Sequence, residues 1–123
     1  MNNKYITLLI VGVAAVAVVV WLYSRQQTSG ELDAFAQCLA SQGAVMYGAE
    51  WCSHCQNEKN AFGDSFRFIP YVECPAEPET CIAKNIQVYP TWIFKDDQHF
   101  EGEQGLQKLS LISGCALSAD SQK

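Results

Sequence analysis

Ala44-Val45-Met46-Tyr47-Gly48-Ala49-Glu50-Trp51-Cys52-Ser53-His54-Cys55 is the stretch around which the rest of this 123-residue chain arranges itself. Its first six residues form a continuous apolar run of strand length, the pattern of a central strand covered on both faces. A helix from about Ser53 to Phe62 follows, so the two cysteines fall at a strand–helix junction. At a helix N-terminus the unsatisfied N–H groups and the dipole favour an anion, and a thiol placed there ionises near neutral pH. Cys52 is therefore expected to be the exposed nucleophile that forms a mixed disulfide with a substrate. Cys55, one turn further on and more buried, is expected to resolve it. A structural disulfide or half of a metal site are the alternatives, and the strand–helix setting with Trp51 directly before the pair favours redox chemistry. His54 is placed to stabilise the thiolate, hence the reduced form, which makes the disulfide a stronger oxidant; a solvent-exposed helix residue without a role is the alternative. A zinc site would want a fourth ligand and a second cysteine pair close by, so no metal is expected.

Toward the N-terminus, Leu32, Phe35, Ala36 and Leu39 recur at helical spacing within 31–42, and Gly43 suits the end of that helix. Gln26-Gln27-Thr28-Ser29-Gly30 is polar and short, a tether. Before it, Tyr5 to Tyr23 is nineteen residues without a charge, flanked by Lys4 and Arg25. As a helix it would be about 28 Å long, close to the thickness of a bilayer's hydrocarbon core. A cleaved secretory signal is the alternative, but the run ends in Trp21-Leu22-Tyr23 rather than in a small-x-small site, which favours an uncleaved anchor. The expected organisation is an anchor over 1–25, a tether over 26–30, one domain over 31–117 and a disordered tail over 118–123.

Toward the C-terminus, Phe66 to Glu73 carries β-branched and aromatic residues around Pro70 and suits a second strand. Pro75 to Pro78 is a loop, and Glu79 to Lys84 a short helix. Thr91 to Phe94 is a strand, Asp96-Asp97 a hairpin turn into His99-Phe100-Glu101, and Gly105 to Ile112 a last helix. Pro90, just before the third strand, suits an edge or turn position.

These residues carry a resemblance. Ala44 to Ala49, Trp51 to Gln56, Tyr71-Val72-Glu73-Cys74 and Tyr89-Pro90-Thr91-Trp92 resemble the thioredoxin family. The likeness is closer to the thioredoxin-like domain fused to, or working with, homologues of vitamin K epoxide reductase (VKOR). It covers nearly all of the soluble part. It implies an α/β fold of thioredoxin type, β-α-β-α-β-β-α with an extra N-terminal helix, after one transmembrane helix. It also implies disulfide exchange with a membrane-embedded quinone reductase, and a cis Pro90 in the loop opposite the cysteines. Trp51, Tyr89 and Thr91 flank this centre and are expected to contact substrate. The family often has Pro where Ser53 stands. Thioredoxins proper have a buried acid where this chain has Met46, a departure that argues for oxidase or isomerase work. Glu50 is a nearby carboxylate that would substitute, or else an exposed loop residue.

Four further cysteines remain. Cys74 and Cys81 bracket a proline-containing loop, and closing it would stabilise the domain by roughly 2–3 kcal/mol on the chain-entropy model. A structural disulfide is expected there, with a second redox relay as the alternative. Cys38 and Cys115, on the first and last helices of the domain, either pair or stay as free buried thiols. Six cysteines in so small a domain suit an oxidising compartment. With the weak positive-inside signal of Lys4 and the α-amino group, that places the N-terminus in the cytoplasm and the domain on the exoplasmic side. Beyond residue 30, six basic residues stand against thirteen acidic ones, a net charge of −7, which argues against nucleic acid or anionic lipid surfaces as partners. The expected function is a thiol–disulfide oxidoreductase that acts on cysteine-containing exported proteins, needs no cofactor of its own, and is reoxidised by a VKOR-like or quinone-linked membrane partner. A membrane-tethered thiol reductase and a metal-binding chaperone using Cys52, His54 and Cys55 are the alternatives.

Overall fold

The computed structural model describes residues 3–30 and 32–118, the side chains of 24–30 excepted. Glu31 and most of the expected tail, 119–123, lie outside the described residues. The chain divides into two units, Met1–Gly30 and Glu31–Lys123.

In the first unit a single helix, α1, runs Asn3–Gly30. Its segment Asn3–Tyr23 is long and apolar enough to cross a membrane, a test that a signal sequence passes equally. The backbone stays helical through 26–30, where a tether was expected.

The second unit is a four-stranded sheet with helices on both faces. Helix α2 (Asp33–Ser41) buries Phe35, Ala36 and Leu39, the stripe that the spacing predicts, and Gly43 follows its end at φ +73°. The apolar run becomes β1 (Val45–Gly48), and Cys52 caps the following α3 (Ser53–Phe62). Then come β2 (Tyr71–Glu73), α4 (Pro78–Ala83), β3 (Thr91–Ile93), β4 (His99–Glu101) and α5 (Gly105–Ser113). The strand order is β2-β1-β3-β4, with β1 parallel to β2 and antiparallel to β3, and β3 antiparallel to β4. This is the thioredoxin-like arrangement.

Alternation along the strands divides the core. Met46 and Trp92 face α2, α3 and α5, packing with Phe35, Leu39, Phe62 and Leu109. Tyr47 and Ile93 face the other way, with Cys74 and Cys81 beside α4.

The second strand is shorter than expected. Residues 63–68 form a 3₁₀ helix, and pairing with β1 begins only at Tyr71, opposite Met46. The cause is tertiary: Ser65 Oγ and Arg67 Nη2 each bond the Asp33 carboxylate at 2.6 Å, which holds this segment against the start of α2. Phe66 meanwhile turns inward to stack edge-on against Phe62 and Tyr71. Pairing enters through Pro70, whose carbonyl accepts from Met46 N–H at 2.9 Å.

Candidate active site

The two motif cysteines are free thiols where β1 hands over to α3. Gly48 makes room for them: a side chain there would stand 2.7 Å from Cys55 Sγ, closer than real Cβ atoms approach, so a residue with a Cβ would displace the sulfur. Cys55 has no exposed surface. Burial pushes its thiol up to about 12, with Cys52 adding to the rise while the Ala49 backbone and the Lys59 charge oppose it. At neutral pH Cys55 is a protonated thiol that must lose its proton to act.

Cys52, expected to be exposed, is only 9% exposed. The loop before β3 covers it, and its S–H points at the Tyr89 carbonyl oxygen 3.7 Å away. The Tyr89–Pro90 peptide is cis. Trp51 stands out at 71% exposed and meets the Tyr89 ring edge-on, with centroids 6.0 Å apart. These two aromatics form a lip beside the Cys52 sulfur. Thr91, expected to touch substrate, is instead buried, and its hydroxyl donates to the Val88 carbonyl at 2.7 Å. Lying on the inner strand β3, it braces the proline loop from below.

His54 is exposed on the first turn of α3, and its Nδ1 lies 3.0 Å from Glu103 Oε2. Asn57 Nδ2 reaches the same oxygen at 3.4 Å. The His54 hydrogen bond, with that of Asn57, holds the Glu103 carboxyl below the usual carboxylate range. Glu103 sits between β4 and α5, about fifty residues from the motif, and no local pattern marks it. One turn along α3, buried Glu58 accepts the Gln104 N–H at 2.7 Å and the Gly105 N–H at 2.9 Å, fastening the start of α5. Glu50, the candidate substitute for the missing acid, is exposed, and Met46 is fully buried. A different carboxylate, that of half-buried Glu73, accepts the Glu50 N–H at 2.9 Å and the Tyr71 hydroxyl.

The other four cysteines are bonded, Cys38 to Cys115 and Cys74 to Cys81. Cys74 and Cys81 are buried with Tyr47 and Ile93, on the opposite face of the sheet from Cys55. A direct relay between those two pairs would have to cross the sheet, so this geometry suits a structural staple. Among the described residues no three His, Cys, Asp or Glu side chains are grouped to hold a metal ion.

Fold and site together define a thioredoxin-like domain with two free cysteines opposite a cis-proline. No protein-family model matches the chain. Among curated proteins it is similar to thiol-disulfide oxidoreductase LTO1 of Arabidopsis thaliana, at 35% identity over 108 residues that cover 77% of this chain and 28% of that protein. The chain thus spans less than a third of LTO1's length.

Proposed function

We propose that this chain is a membrane-anchored thiol–disulfide oxidoreductase that oxidises cysteine-containing exported proteins and is reoxidised by a VKOR-like or quinone-linked membrane partner. The observation that carries the exchange chemistry is the placement of Cys52 at the N-cap of α3, beside the Tyr89 carbonyl of the cis-proline loop, with Cys55 buried one turn behind it. A substrate thiolate or disulfide reaches Cys52 past Trp51 and Tyr89. When a substrate dithiol is oxidised, its first thiolate attacks Cys52 of the Cys52–Cys55 disulfide, Cys55 leaves as the thiol, and the second substrate thiolate resolves the mixed disulfide. In the reverse direction Cys55 resolves it from inside. Net oxidation of a dithiol substrate leaves Cys52 and Cys55 reduced, and the membrane partner withdraws that electron pair. Oxidation rather than reduction is favoured by Met46, which leaves the strand before the motif without a carboxylate. Six cysteines and the apolar helix support an exoplasmic domain with a cytoplasmic N-terminus.

The full-length protein in detergent should reduce insulin with dithiothreitol and reactivate scrambled ribonuclease. Cys52→Ser should abolish both, and Cys55→Ser should accumulate mixed disulfides. Full activity of Cys52→Ser would end the assignment. A reduction potential at or below that of a thioredoxin, near about −270 mV, would turn the oxidase into a tethered reductase.

A further inference from the structure

Every round of exchange requires the buried Cys55 thiol to give up a proton, and the strand that leads into the motif offers only Met46. Glu58 is close in sequence, but its carboxylate is turned to the start of α5, where it accepts the backbone N–H groups of Gln104 and Gly105. Glu50 is exposed. The remaining acid is on β2. There Val72 faces the Cys74–Cys81 side of the sheet, so by alternation Tyr71 and Glu73 face α3 and Cys55. Register places Tyr71 beside Met46 and Glu73 beside Gly48. The empty position over Gly48 lies 2.7 Å from Cys55 Sγ and 3.4 Å from Tyr71 Cε2, so the sulfur and the phenol ring both border a residue that has no side chain to part them.

From this geometry we infer that Tyr71 and Glu73 form the proton acceptor for Cys55, in place of the acid that the preceding strand lacks. The inference rests on the thiol–disulfide reading of the site. The Tyr71 hydroxyl donates to Glu73 Oε2, and Glu50 N–H holds Oε1 at 2.9 Å, which fixes the carboxylate against the phenol oxygen. Lys59 Nζ lies 3.6 Å from the centre of the Tyr71 ring, and its charge favours an anionic Cys55. The charged and titratable groups that act on Cys55 are Cys52 at the helix start and Lys59 on α3, and those that act on Tyr71 are Glu73 on β2, Cys55 itself and Glu50 in the loop. Strand β3 contributes only uncharged Trp92 to this core.

The step balances as a transfer. The Cys55 proton passes to the Tyr71 oxygen as the Tyr71 proton passes to Glu73. The Cys55 sulfur attacks Cys52 Sγ, the bond between Cys52 and the substrate sulfur breaks, and the substrate leaves as a thiolate. Glu73 then releases the proton to solvent or to that thiolate. The substrate gains the electron pair, and Cys52 and Cys55 become a disulfide. Run backward, the same pair returns a proton to Cys55 when a substrate dithiol is oxidised.

Single-turnover mixing of reduced full-length protein with oxidised glutathione, quenched with acid and followed by mass spectrometry, separates attack by Cys52 from resolution by Cys55. In Glu73→Gln and Tyr71→Phe, attack should keep its wild-type rate. Resolution near pH 7 should slow on the order of 100-fold, with the glutathione adduct accumulating and the rising limb of the pH profile moving to more alkaline pH. Tyr71→Phe removes one oxygen and keeps the ring, so it carries the test if Glu73→Gln misfolds. Wild-type resolution rates and an unmoved pH profile in both variants would overturn the acceptor while leaving the oxidoreductase standing. Failure of wild type to form either the glutathione adduct or the Cys52–Cys55 disulfide would overturn both.

Discussion

His54 and Glu103 form a pair whose members oppose each other at the helix start. The His54 ring beside the motif favours the reduced dithiol, and the Glu103 carboxylate 3.0 Å from Nδ1 opposes it. Replacing His54 therefore has two effects of one sign, because the ring is lost from the helix start and the Glu103 carboxylate is left with Asn57 but without its hydrogen bond to His54. His54→Ala should lower the reduction potential by on the order of 30 mV or more, whereas His54→Ala with Glu103→Ala should lower it less. Equilibration of the three proteins against glutathione measures the difference. Equal potentials for the single and double variants would show that Glu103 does not act on the site. His54 was legible from its position between the cysteines. Glu103 was not, since it is brought there by the turn from β4 into α5.

At the scale of elements, α3 and α5 are joined by Glu58 rather than by apolar packing alone. Burial holds its carboxyl above the usual range, against the pull of the Gln104 and Gly105 N–H groups. A folded-state pKa above the unfolded one means that the native protein binds the proton more tightly. Its contribution to stability is therefore full below the ordinary carboxylate value and is lost as pH rises through the raised one. Wild type should accordingly lose stability relative to Glu58→Gln, which cannot titrate, between acid and neutral pH. Urea titrations of both proteins at a series of pH values would show the narrowing gap, and a constant gap would contradict it. The disulfides staple elements over very different lengths, with sequence separations of 77 for Cys38–Cys115 and 7 for Cys74–Cys81. On the chain-entropy model the long closure stabilises by roughly 4–5 kcal/mol and the short one by roughly 2–3 kcal/mol. Replacing Cys38 and Cys115 by Ala should thus lower the urea midpoint more than replacing Cys74 and Cys81. The opposite order would mean that the short staple supports more of the fold than its loop entropy provides.

For the whole molecule, α1 decides where the chemistry can occur. A 21-residue apolar segment, Asn3–Tyr23, has the length to span a bilayer as an anchor, while a secretory signal would be cut away. The protein should stay in the membrane fraction through carbonate extraction, and a reporter fused after Lys123 should be active only outside the cytoplasm. Release of the domain into the soluble fraction would mark the helix as a signal, and a cytoplasmic reporter signal would reverse the orientation.

The sequence by itself determined whatever depends on neighbours along the chain. The apolar run into Trp51-Cys52 marked β1 and the start of α3, the alternation and turn residues marked the β3–β4 hairpin, and the uncharged stretch marked α1. Each is a local pattern of burial or capping that one segment carries alone. Tertiary structure decided what depends on distance across the fold. It shortened β2, because Asp33 gathers Ser65 and Arg67 against α2. It covered Cys52 with the Tyr89 carbonyl and turned Thr91 inward. It also chose which carboxylate serves which thiol. Glu50 is adjacent to the motif yet exposed, whereas Tyr71 and Glu73, which share one face of β2 by alternation, come to the motif because parallel pairing with β1 sets them beside Met46 and Gly48. Proximity in a folded site follows from register and packing, and neither is written in any single stretch of residues.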